Sequence, residues 1–130
     1  MSAGMELILD AQAVLGLNDR QRVEDWIREA CRLADMHIIG MQSHVLPNGH
    51  DNGPGITAVA VIAESHVAVH TFPEKGAVSM NLYSCRPFDS HLVLESFERW
   101  FGVSRVLYCT TLTRSLECLH AETHPVAPAA

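Results

Sequence analysis

Little of this sequence is charged. Lys, Arg, Asp and Glu make up 18% of its 130 residues, below the roughly 25% common in globular domains. So small a polar share leaves surface to be covered by another subunit, and a homo-oligomer of at least two copies is expected. Positive charge is the scarcer sign, and the formal net charge is −6. Such a chain repels phosphate backbones, which excludes nucleic acid as an expected partner and suits a cationic small molecule. No apolar run approaches the ~20 residues of a spanning helix, so no membrane segment is expected. The N-terminus lacks a basic stretch followed by a long apolar one, so no signal peptide is read and a cytoplasmic location is expected. Cys31, Cys85, Cys109 and Cys118 form no CxxC pair and no regular framework. Three of them are expected as buried thiols in a reducing compartment, and Cys85 is treated separately below. No internal repeat or linker divides the chain, so residues 1–130 are read as one domain.

What is present alternates between two periods. Met5 to Asp10 reads as a strand. Asn18 or Asp19 can cap a following helix, with Gln21 placed for a capping box and Val23, Trp26, Ile27, Ala30 and Ala34 at helical spacing. A short apolar run, Met36 to Met41, suits a strand, and Ser43 to Gly55, with Pro47, Gly49, Gly53 and Pro54, reads as a loop. Ile56 to Ala63 is apolar except for Thr57, the pattern of a strand buried on both faces. Val67 to Phe72 and Val78 to Cys85 read as further strands joined by a Pro73–Gly76 turn. Asp89 or Ser90 caps a second helix with an apolar face of Leu94, Phe97 and Phe101 and a stop at Gly102, and Val103 to Cys109 closes the series. The expected fold is α+β, a two-layer sandwich with two helices on one face of a mainly antiparallel sheet. The other sheet face then needs a second copy or a ligand to cover it.

Reactive residue types concentrate between Glu64 and Cys85. Alternation sets His66, Ala68, His70 and Phe72 on one strand face, and Asn81, Tyr83 and Cys85 share a face of the next. The two histidines could simply face water. One metal ion cannot take both, because four residues of strand span about 13 Å, so no metal is expected. A Ser-His or Cys-His nucleophile pair is a third reading, but no strand-turn-helix elbow surrounds these residues.

The run Glu64-Ser65-His66-Val67-Ala68-Val69-His70-Thr71-Phe72-Pro73-Glu74, followed by Tyr83-Ser84-Cys85, resembles the signature of the bacterial S-adenosylmethionine decarboxylases. In that family a segment near ESHxxIHTWPE precedes a strand ending in a Thr-Cys-Gly-like triplet. The resemblance runs loosely from about Met5 to Arg114 and is specific from Ile56 to Cys85. It implies a self-made pyruvoyl cofactor. The Ser65 hydroxyl would attack the Glu64 carbonyl, and β-elimination and hydrolysis would leave chains 1–64 and 65–130, the second beginning with a pyruvoyl group that forms a Schiff base with the substrate amine. The resemblance gives His70 a proton-transfer role in processing, with support from Thr57. It gives Cys85 the role of general acid in decarboxylation, Glu74 the substrate ribose hydroxyls and Phe72 an adenine-stacking position. Ser65 and His70 are five residues apart, an odd number, so a straight strand would point them to opposite faces. A bend at Glu64-Ser65 is therefore required.

Some positions depart from the family pattern. Phe72 replaces a Trp, Leu46 or a residue of the NGHDNGP loop replaces a second aromatic, Asn81 stands where Asp is common, and Arg86-Pro87 follows Cys85 in place of Gly. The first expected function is decarboxylation of S-adenosylmethionine for spermidine synthesis. A second keeps the pyruvoyl chemistry with ornithine or arginine as substrate. A third is a non-catalytic binding domain that retains the fold, against which the joint presence of Ser65, His70 and Cys85 argues.

Overall fold

The computed structural model describes residues 4–48 and 53–115. Its elements run β1 (Gly4–Ala13), α1 (Arg20–Leu33), β2 (Ile38–Leu46), β3 (Gly55–Ile62), β4 (Ser65–Phe72), a 3-10 turn (Pro73–Lys75), β5 (Ala77–Ser84), α2 (Ser90–Phe101) and β6 (Val103–Arg114). The six strands form one sheet in the order β2-β3-β4-β5-β1-β6, and each neighbouring pair is antiparallel. Two antiparallel hairpins, β3–β4 and β4–β5, make its centre, and β1 enters beside β5.

Both helices start where a side chain supplies the missing acceptor for free N–H groups. Asp19 accepts from the Arg22 N–H, and Asp89 accepts from His91 and Leu92. The expected capping box at Gln21 does not form; its amide donates to Asp25 one turn on. Helix α2 stops at Gly102, whose φ of 58° is open to glycine at little cost.

Val23, Trp26, Ile27, Ala30 and Cys31 of α1 and Val93, Phe97 and Phe101 of α2 are buried with Leu7, Leu9, Val67, Val69, Met80 and Leu82 of the sheet. Trp26 meets Phe97 and Phe101 edge-on at 5.0 and 6.0 Å, and its indole N–H donates to Ser96 Oγ. The helices therefore sit side by side on one sheet face, the expected two-layer arrangement.

Three local expectations are corrected. Strand β2 continues through Ser43 to Leu46, because its backbone pairs with β3 as far as Leu46↔Gly55. Strand β3 buries only alternate residues: Ile56, Ala58, Ala60 and Ile62 face the core, while Val59 and Val61 are 38% and 54% exposed. Helices cover one face only, so an all-apolar strand here has an uncovered apolar side. Cys109 is exposed on β6, at the sheet edge, and only Cys31 of the expected buried thiols is seen buried; Cys118 lies outside the described residues.

Candidate active site

The reactive stretch folds around a two-residue reversal. Ile62 pairs with Ser65, leaving Ala63 and Glu64 as the tip of the β3–β4 hairpin. Ser65 has φ 151°, a region that residues with a side chain seldom enter and that costs about 1–3 kcal/mol. The chain does turn at Glu64-Ser65, but β4 then runs unbroken from Ser65 to Phe72 beside β5, so the turn does not make the expected Ser65–His70 contact.

Across the sheet Ser65 pairs with Ser84, the last residue of β5, so Cys85 follows directly beside the hairpin tip. Its backbone N–H donates to the Glu64 carbonyl oxygen at 2.8 Å. A donor aimed at the carbonyl between Glu64 and Ser65 polarises that carbon and stabilises an oxyanion formed there. The Cys85 side chain is exposed. Ser65, the Glu64 carbonyl and Cys85 are thus brought to one place.

The Glu64 side chain turns inward and is only 10% exposed. The His37 backbone N–H donates to Oε1 at 2.9 Å and its ring Nδ1 lies 3.1 Å from Oε2. An ionised carboxylate only accepts, so Nδ1 carries the hydrogen. These bonds hold the Glu64 carboxyl below the usual carboxylate range against the opposing effect of burial. Burial, with the nearby Glu64 charge second, pushes the Cys31 thiol up to about 11, so that thiol stays protonated and inert.

His66, Ala68 and His70 occupy the sheet face away from the helices, since Val67, Val69 and Thr71 between them are buried. Two polar groups sit on that face. His66 Nε2 is 2.8 Å from Asn81 Oδ1, Asn81 Nδ2 donates to Glu6, and Glu6 also receives Arg114. Because Asn81 spends its amide hydrogen on Glu6, its oxygen faces His66, whose proton is therefore on Nε2. Farther along, Thr57 and His70 are register partners with Oγ1 and Nδ1 3.1 Å apart. Burial pushes the His70 imidazole below its usual range, so it is neutral at neutral pH.

Thr57, His70 and Phe72 lie towards the opposite end of β4 from Ser65. Five residues of strand span roughly 16 Å, so one chain does not bring His70 to its own Ser65. Glu74 is exposed on the turn after β4, and a Cβ built on Gly53 would come 2.5 Å from its Oε2. Residues 49–52 of the NGHDNGP loop, one of whose residues or Leu46 is expected in place of the family's second aromatic, lie outside the described residues. A cleft of about 640 Å³ between Leu15–Asp19 and the Pro73–Gly76 turn opens at the His70 end, remote from Ser65. Among the described residues no group of three His, Cys, Asp or Glu side chains could hold a metal ion. Sequence reasoning missed His37 and the Glu6–Asn81–His66 chain. Asn81 and His66 share a face by alternation, a usable signal, whereas nothing in the pattern around His37 marks it.

Comparison with known proteins decides the family. The family model described as S-adenosylmethionine decarboxylase matches residues 5–115. The chain belongs to this family. An S-adenosylmethionine decarboxylase proenzyme of Saccharolobus solfataricus is 37% identical over 76 residues, covering 58% of this chain and 56% of that one. One of Pyrobaculum arsenaticum is 36% identical over 70 residues, 53% of this chain and 52% of that one. The chain thus spans about half the length of the curated relatives it matches. These family relatives are archaeal. The crystal structure of the adenosylmethionine decarboxylase from Aquifex aeolicus shares the fold, with a TM-score of 0.74 at 19% identity over 94% of this chain and 98% of that one. Among the described residues no helix is long and apolar enough to cross a membrane.

Proposed function

We propose that this chain is a self-processing pyruvoyl-dependent decarboxylase proenzyme acting on S-adenosylmethionine, cleaved between Glu64 and Ser65 into residues 1–64 and 65–130. The observation that carries this reading is the Glu64-Ser65 peptide itself. It sits at a hairpin tip, strained at Ser65, with a backbone donor on its carbonyl oxygen. A binding domain has no use for such an arrangement.

The chain's own residues account for each step of processing. Ser65 Oγ bonds to the Glu64 carbonyl carbon while the Cys85 N–H holds the oxyanion. The Glu64–Ser65 C–N bond then breaks and the hydroxyl proton passes to the freed amine, leaving an ester. Removal of the Ser65 Cα proton expels Glu64 as a carboxylate and leaves dehydroalanine at position 65. Addition of water and loss of ammonia make the pyruvoyl group. A strained two-residue tip beside an exposed thiol suits that group, which supplies an electron sink for decarboxylation. The exposed Cys85 thiol serves as general acid to the substrate carbon. Phe72 stacks on adenine, and exposed Glu74 accepts from the ribose hydroxyls.

The neutral Thr57–His70 pair is the proton acceptor in processing, and its remoteness from Ser65 within one chain calls for a second copy. The sheet face away from the helices carries exposed Val59, Val61, Tyr108 and Leu112. We read it as the face of a homodimer in which His70 of one copy serves Ser65 of the other. Denaturing electrophoresis and intact mass test the central claim. Two fragments of similar size are expected, the larger-numbered one reactive to carbonyl reagents, with Ser65→Ala remaining whole. A wild type that stays a single chain without carbonyl reactivity refutes it.

A further inference from the structure

A glutamate at a hairpin tip normally reaches into water. Glu64 instead gives up most of its solvent contact, and burying a carboxylate is costly unless charged or hydrogen-bonded partners replace the water. Three groups replace it here: the His37 N–H, the His37 ring and, 3.9 Å from Oε2, the Arg86 guanidinium. The partners are themselves the exposed members, His37 at 72% and Arg86 at 39%.

The same residues strap the backbone. Ala63 N–H donates to the His37 carbonyl at 2.8 Å, so segment 37 and the hairpin tip hold each other in both directions. Arg86 donates its guanidinium to the Asp35 carbonyl and its backbone N–H to Ser84 Oγ. Asp35 has φ 54°, the sharp corner that lifts this short connection toward the tip. Arg86 is also the residue next to Cys85, whose N–H holds the Glu64 carbonyl. Glu64 is therefore gripped at its carbonyl by the end of β5 and at its carboxylate by the connection between α1 and β2.

We propose that His37 and Arg86 are positioning residues for self-cleavage, clamping the Glu64 side chain so that its carbonyl stays on the Cys85 N–H within reach of Ser65. This rests on the processing reading above. A strained peptide relaxes unless its surroundings over-determine it, and the clamp is what over-determines this one. Without it the tip can rotate, which relieves Ser65 and removes the carbonyl from its donor.

The test is a time course of full-length chain converting to two fragments after cell-free synthesis, followed by denaturing electrophoresis. Glu64→Gln is expected to slow conversion about tenfold, the order lost when a charge-assisted hydrogen bond no longer holds a reacting group, and Arg86→Gln, which loses an ion pair at 3.9 Å, about threefold. His37→Ala keeps the backbone donor and is expected to slow it about threefold. Arg86→Lys should recover part of the rate, since an ammonium restores the charge. The Glu64→Gln/Arg86→Gln double variant should be no slower than the slower single one, because both act through one contact. Each variant is also made on Ser65→Ala, which stays whole and reports folding by circular dichroism. Folded variants that cleave at the wild-type rate overturn the clamp, as does a double variant whose losses multiply. A wild type that never cleaves refutes the processing reading instead.

Discussion

Replacing Ser65 by glycine and by alanine isolates the strain at the scissile bond. Both variants remove the nucleophile and stay whole, so both can be compared as intact chains. Both lose the hydroxyl, and they differ only in the Cβ. At φ 151° a Cβ costs about 1–3 kcal/mol, and glycine escapes that cost. Glycine also gives up about 0.5–1 kcal/mol through the extra freedom of its unfolded chain. The difference leaves Ser65→Gly more stable than Ser65→Ala by up to about 2.5 kcal/mol. For a domain of this size, each kcal/mol moves the melting temperature by about 4 °C, so the gap should be up to about 10 °C. Thermal melts at one fixed protein concentration measure it, which keeps any association equal between the two. At an ordinary strand position the order would be reversed, with alanine the more stable. An alanine variant more stable than the glycine variant would therefore show that position 65 is unstrained and that the geometry does not prime the peptide.

Cys85→Ala keeps the backbone N–H that holds the Glu64 carbonyl, so it should cleave at close to the wild-type rate yet lose at least about 100-fold in CO₂ release, the loss typical of a missing general acid; equal loss of both would contradict the division of roles. Ser65→Ala and His70→Ala chains should each remain whole alone, but co-expression should yield cleaved His70→Ala chains, because their Ser65 then meets an intact His70; heterodimers shown to form without any cleavage would exclude service across the interface. Burial lowers the pKa of His70, so its base form persists as pH falls through the ordinary imidazole range. The processing rate should therefore hold level there and decline only at lower pH, and a midpoint above the ordinary imidazole value would remove His70 from the proton-accepting role. His70→Ala should also accumulate the ester, which hydroxylamine cleaves far faster than an amide and which electrophoresis would reveal.

By itself the sequence determined the elements and the chemistry available to them. Alternation from Val67 to Phe72 settled which residues of β4 face the core, because strand side chains point to opposite faces whatever the strand pairs with. The helix ends were bracketed to Asn18 or Asp19, to Asp89 or Ser90 and to Gly102, because capping depends on neighbours in the chain, and the structure chose Asp19 and Asp89. The Glu64-Ser65-His66 run and Cys85 carried the resemblance to the family, because residue identity and spacing along the chain are legible without a fold. The tertiary structure alone decided the rest. Whether Val59 and Val61 are buried depends on which sheet face the helices choose, so an apolar run could not reveal its own uncovered side. His37 reaches Glu64 across 27 residues of chain, a meeting set by the α1–β2 connection and invisible to any local spacing. Register, not proximity in sequence, put Cys85 against the Glu64 carbonyl. Hydrogen-bond pairing between strands fixes such distances, and that pairing exists only once the sheet has formed.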